Sequence, residues 1–283
     1  MPSVTPIPPA RFQKLVRFVR RGTFGPRLVA KYGRLEDWDV SQVRSMAGAF
    51  MGQKTFNRDL SRWDVGHVTD MSNMFAGAEA FNQPLGTWNV GRVTHMDGMF
   101  RHAVAFDQPL GGWDTREVRS MSGMFEDALA FNQPLDEWDT RRVESMRCMF
   151  RGAVRFNQPL GTWDVGRVQS LAGMFERARC FNQPLGGWNV GASVTDMSAM
   201  FAGARAFHAD LSEWDVTRVM DLRAMFMGSA KTERRRSSAG SCVSAPPHTA
   251  SSIRSTLPCI ATIASGSCNN PNSLTHLPAH EHL

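Results

Sequence analysis

A carboxylate or its amide follows every tryptophan of this chain: Asp39, Asp64, Asn89, Asp114, Asp139, Asp164, Asn189 and Asp215. A row of carboxylates suggests calcium, which takes clustered oxygen ligands. The two amides point to a simpler role. Asn keeps the acceptor oxygen and drops the charge, so the row reads as side chains that accept backbone N–H groups at a turn. A row of like charges also needs an offset, and it stands three residues further on, at His67, Arg92, Glu117, Arg142, Arg167 and Arg218. Acid and base rows lying side by side make an exposed ladder worth roughly 0–1 kcal/mol per pair. The functional alternative is a basic stripe, Arg92, Arg142, Arg167 and Arg218, facing an anionic partner such as an acidic glycan.

Other chemistry is poorly supported. Hydrolysis by paired carboxylates needs two carboxyls in unlike environments, whereas a repeat gives each nearly the same one. His67, His95, His102 and His208 share no column, and the five cysteines show no paired zinc spacing. Cys148 and Cys180 fall at different places in their repeats, which excludes a regular disulfide ladder. No phosphate-cradling loop, Ser-His-Asp order or catalytic cysteine context is present. The expectation is a protein that is not an enzyme and uses no cofactor or metal.

The elements that must position these residues are copies of one unit. Trp38, Trp63, Trp88, Trp113, Trp138, Trp163, Trp188 and Trp214 recur every 25 residues, with a single spacing of 26 at the end. The extra residue lies within Gly191-Ala192-Ser193. Phe81, Phe106, Phe131, Phe156 and Phe181 form a second column, and Asn57, Asn82, Asp107, Asn132, Asn157 and Asn182 a third, suited to satisfying loop backbone groups. In the copy Phe81–Ala105, Met96, Met99, Phe100 and Ala103 follow the i, i+3, i+4, i+7 stripe of a short amphipathic helix. Trp88 and Val90 alternate with Asn89, which suits a short strand, and Asn82-Gln83-Pro84 reads as a turn. Gly86, Gly111 and Gly161 are assigned to turns for their backbone freedom.

Such a unit cannot bury its apolar face alone. The prediction is an α/β solenoid of eight units, each a short strand plus a short helix, with tryptophan stacked on tryptophan and phenylalanine on phenylalanine as the core. Parallel pairing at roughly 4.8 Å per copy gives a body about 40 Å long. Functional residues are expected where copies differ: the turns at Gly86-Thr87, Gly111-Gly112 and Asp136-Glu137, and the flank at Arg101-His102, Glu126-Asp127, Arg151-Gly152 and Glu176-Arg177.

Three segments follow. Residues 1–34 carry a net charge of +8 and no acid, residues 35–230 hold the repeats at −5, and residues 231–283 carry +3. The basic balance therefore belongs to the flanks, and a mildly acidic body argues against nucleic acid as the partner. Leu15, Phe18 and Val19 have helical spacing, either as a cap over the first copy or as a helix on a membrane surface. No apolar run is long enough to span a membrane. Residues 231–283 are rich in Ser, Pro, Ala and Thr without apolar period and are expected to be disordered. The break falls where a further copy would begin, and a shifted frame or retained intron would produce the same pattern.

The copies FNQPLGTWNVGRVTHMDGMF, FNQPLDEWDTRRVESMRCMF and FNQPLGTWDVGRVQSLAGMF resemble the mycoplasma-lipoprotein-type repeat of the BspA-like leucine-rich-repeat surface proteins. The resemblance covers about 31–228, and the last copy departs with Phe207-His208-Ala209-Asp210-Leu211 in place of FNQPL. It implies a leucine-rich-repeat-like, right-handed coil, a cell-surface or secreted place, and adhesion to a protein or glycan, with no enzymatic activity. A monomer is expected. Met1–Ala10 shows neither the apolar stretch of a secretory signal nor a lipoprotein cysteine. A cytoplasmic scaffold or regulatory interaction protein is accordingly the alternative reading.

Overall fold

The computed structural model describes residues 5–230, so the expectation for 231–283 lies outside the described residues. Two helices open the chain, α1 (Pro9–Arg20) and α2 (Pro26–Tyr32). A short 3-10 turn, Leu35–Asp37, follows. Beyond it the backbone is a succession of turns, joined copy to copy by parallel bridges that run Ser45, Asp70, His95, Ser120, Ser145, Ser170, Asp196 and Asp221.

The stripe read as a helix is built differently. Met96, Gly98, Phe100 and His102 donate their N–H groups to Ser120, Ser122, Met124 and Glu126 of the next copy. The residues between them, Met99, Arg101 and Ala103, donate to carbonyls three residues back in their own copy. A left-handed residue at Gly98 (φ 59°) and again at His102 (φ 55°) makes this alternation possible. A helix would turn every N–H onto its own chain; here half of them bind the copies together, and three more close turns within the copy. Met96, Met99, Phe100 and Ala103 all remain fully buried, so the apolar period is real although the helix is not. The strand expected at Trp88 and Val90 keeps its alternation, both being buried around exposed Asn89, but Trp88 donates to Leu85 within a turn. The parallel pairing sits instead at His95.

One continuous core runs from Ile7 to Met225. Every indole after the first reaches back one copy: Trp138 Nε1 donates to the Leu110 carbonyl at 3.0 Å, and Trp63, Trp88, Trp113, Trp163, Trp188 and Trp214 do likewise to Leu35, Leu60, Leu85, Leu135, Leu160 and Leu185. Two phenylalanine columns stack beside them. Phe100 lies 4.0 Å from Phe106 and 5.7 Å from Phe125, both of the next copy, with near-parallel rings. Phe81, Phe106, Phe131, Phe156 and Phe181 follow one another at 6.0 to 6.1 Å.

At the amino-terminal end α1 replaces a missing neighbour. Pro9 at its first turn presets φ, and Arg17 and Arg20 in its last turn suit the helix dipole. Its buried face, Phe12, Leu15 and Val16, closes over the first copy, with Phe12 edge-on to Trp38 and Trp63. Gln13 Nε2 and Arg20 Nη2 donate to the carbonyls of Ala47 and Met51. In the next copy the equivalent carbonyls, Ser72 and Ala76, accept backbone N–H groups from the copy before. Two side chains thus stand in for a strip of backbone. The substitution is incomplete, because Trp38 Nε1 is buried without a hydrogen-bond partner among the described residues.

Candidate interaction surface

The acid row is occupied by local structure. Asp64 accepts the Gly66 N–H at 3.0 Å, Asn89 that of Gly91 at 3.2 Å, Asp164 that of Gly166 at 2.8 Å, and Asp39, Asp114, Asp139 and Asp215 close the same two-residue turn. Amide and acid are interchangeable because the turn itself uses only one acceptor oxygen. In the longer copy the turn changes, and Val190 donates to the Trp188 carbonyl. Arg116 and Arg141 grip Asp114 and Asp139, and this bonding holds both carboxyls below the ordinary aspartate value. Among the described residues no three His, Cys, Asp or Glu side chains converge as a cation site would require.

The base row does not neutralise the acid row as its spacing suggests. The acids pair with an arginine two residues on, Arg116 or Arg141, because the turn folds that side chain back over the carboxylate. Arg142 pairs with Glu117 one copy away, and Arg218 donates to the Ala192 carbonyl. Arg92 and Arg167 are exposed and make no ion pair among the described residues. Glu117 stands between Arg92 and Arg142, so the four arginines are not an unbroken stripe.

The asparagine column is a ladder. Asn82 Oδ1 accepts the Asp107 N–H at 3.0 Å and Gln108 Nε2 at 2.9 Å; Asp107 then accepts from Asn132 and Gln133, and Asn132 from Asn157 and Gln158. Asn57, Asn157 and Asn182 serve the same way, which explains why Asn and Gln stand together at 82–83, 132–133, 157–158 and 182–183. The flank named for its variation is likewise engaged between copies. Arg101 donates to Asn73, His102 lies 3.5 Å from Asp127, and Arg151 lies between Glu126 and Glu176. Gly86, Gly111 and Gly161 do not need a left-handed φ, which falls elsewhere. A side chain at Gly86 would instead come within 3.0 Å of the Pro109 carbonyl.

What remains open is the face above the parallel bridges. A shallow groove of about 330 Å³ crosses four copies there, lined by His95, Arg119, Ser120, Glu144, Ser145, Gln169 and Ser170. Its floor is a run of hydroxyls on a fixed backbone: Ser120 bonds Asp97, Asp97 accepts the Ser122 N–H at 3.0 Å, and the Ser122 and Ser145 hydroxyls meet at 2.7 Å. Exposed Arg119, Glu144 and Gln169 stand along it, with Arg119 Nη1 3.5 Å from Glu144. The arrangement offers donors and acceptors at copy spacing to an extended polar ligand. Sequence reasoning passed over this face. Its signal was a position that changes from Thr94 to Arg119, Glu144 and Gln169 while the valine before it and the bridge residue after it hold the backbone still.

No helix among the described residues is long and apolar enough to cross a membrane. No curated protein matches the chain. The profile of a family described as Mycoplasma protein of unknown function, DUF285, matches residues 22–138 and again residues 130–238. The two matches run through all eight tryptophans and the groove, and the chain belongs to this mycoplasma-type repeat family.

Proposed function

We propose that the chain is a non-enzymatic interaction module that holds an extended polar protein segment or glycan along the groove over the bridges. The carrying observation is the contrast between that face and the rest of the repeat. Nearly every recurring polar side chain is spent on a turn of its own copy or on a neighbouring copy, while Arg119, Glu144 and Gln169 differ between copies and stand exposed along the bridge row. The lowered carboxyls of Asp114, Asp139 and Asp221 favour acceptors that stay ionised over acids that cycle a proton. We read residues 35–230 as a leucine-rich-repeat-like solenoid of the BspA type acting as a monomer in adhesion. The bridges, which join equivalent residues of successive copies in parallel, support that reading.

Glycan and protein arrays probed with the full chain test it. A ligand bound by the native chain should lose at least tenfold in affinity when Arg119, Glu144 and Gln169 are replaced together by alanine, since several polar contacts of about 1 kcal/mol each disappear. Unchanged binding by that folded variant would remove the groove from the proposal.

A further inference from the structure

The amino-terminal cap carries more charge than its packing uses, since among the described residues Arg20 alone of its bases bonds the first copy. All eight bases of residues 1–34 are exposed, and none forms an ion pair among the described residues. The nearest acids in sequence, Glu36 and Asp37, are held by Arg58 and Arg62 of the second copy. Helical spacing of 100° per residue sets Lys14 and Arg17 opposite Phe12 and Val16, and Arg21, capping the helix, is exposed beside them. The apolar face of α1 is already consumed by Trp38 and Trp63, which leaves a rigid cationic end and no free amphipathic helix to insert.

We infer that this end is a docking face for an anionic phospholipid surface. Charge complementarity requires a polyanion, and clusters of this size read as sites for acidic headgroups. The choice of lipid over nucleic acid follows from what surrounds the bases. The exposed apolar side chain among them is aliphatic Val29, between Arg27 and Lys31, and no large aromatic side chain among the described residues is exposed for base stacking. The body behind the cap carries −5, so an anionic surface attracts one end of the molecule and repels the rest. The chain then stands end-on, with the groove running away from the surface. This inference is independent of what the groove binds.

Flotation of the full chain with vesicles tests it, using phosphatidylcholine alone and phosphatidylcholine mixed with phosphatidylserine. Binding should require phosphatidylserine and fall steeply with added salt. The combined variant Lys14→Gln, Arg17→Gln, Arg21→Gln should lose about a hundredfold in partition. Arg92→Gln with Arg167→Gln, which removes two exposed bases from the body, should leave partition unchanged. Equal binding to both vesicles, or a triple variant that floats like the native chain with the same melting temperature, would overturn the inference. So would tighter binding to a single-stranded RNA than to vesicles of equal charge.

Discussion

Each column residue contributes twice, to its own copy and to a neighbour, and the tryptophans show how the two parts separate. Trp138 fills core and donates to the Leu110 carbonyl; Trp38 fills core and donates to nothing. Replacing Trp138 by alanine should cost roughly 3–5 kcal/mol as a large-to-small change in a central copy. Trp38→Ala at the capped end should cost less. Phenylalanine isolates the hydrogen bond. Trp138→Phe removes one of two donors from the Leu110 carbonyl, which keeps the Trp113 N–H, a loss of about 0.5–1.5 kcal/mol that Trp38→Phe escapes. Urea denaturation of the four variants measures both differences, and equal losses at the two positions would contradict the stacked arrangement. The same logic explains Asp107 inside the asparagine ladder, where one acceptor oxygen is all the position demands.

At the scale of the element, the sequence displays the packing but not the backbone that achieves it. The columns, the copy boundaries and the buried set are legible because each copy must meet the same neighbours, so apolar identity recurs at fixed spacing. The stripe reads as a helix because i, i+3, i+4, i+7 burial is shared by an α-helix and by a chain of turns with left-handed residues four positions apart. The distinguishing signal was present. Gly48, Asn73, Gly98, Gly123 and Gly173 hold one left-handed position, and Gly52, Gly77, Gly152, Gly203 and Gly228 the other. The groove was less legible still, since copy-to-copy variation marks both idle surface and a working one, and only the bridges show which residues share a rigid row. The backbone assignment can be tested by a change of sign. Ala199 has a φ of 53°, where an L side chain is strained. Ala199→Gly should therefore raise stability by about 0.5–1 kcal/mol in chemical denaturation, whereas in a helix it would lower it by roughly 1 kcal/mol. Gly152→Ala should lower stability instead, because a side chain is strained at its φ of 66° and the new methyl would collide with the Asp127 side chain.

For the whole molecule, contacts between adjacent copies make stability nearly one-dimensional, so an interior copy and an end are not equivalent losses. Deleting residues 106–130 joins Ala105 to Phe131 and keeps every column in register, because the bridge and indole contacts recur at that spacing. The shortened chain loses one copy and one interface, and calorimetry should show a folded protein with roughly one-eighth less unfolding enthalpy. Removing residues 1–34 takes away a similar length of chain with a different effect. It uncovers Trp38, strips Gln13 and Arg20 from the Ala47 and Met51 carbonyls, and leaves the first copy with an unpaired edge. That edge exposes core and backbone together, the combination that templates association between chains. The capless chain should melt lower than the copy deletion and show concentration-dependent light scattering, while the copy deletion stays monodisperse. Should the two deletions behave alike, α1 would be an appendage and the first copy would be stable without it.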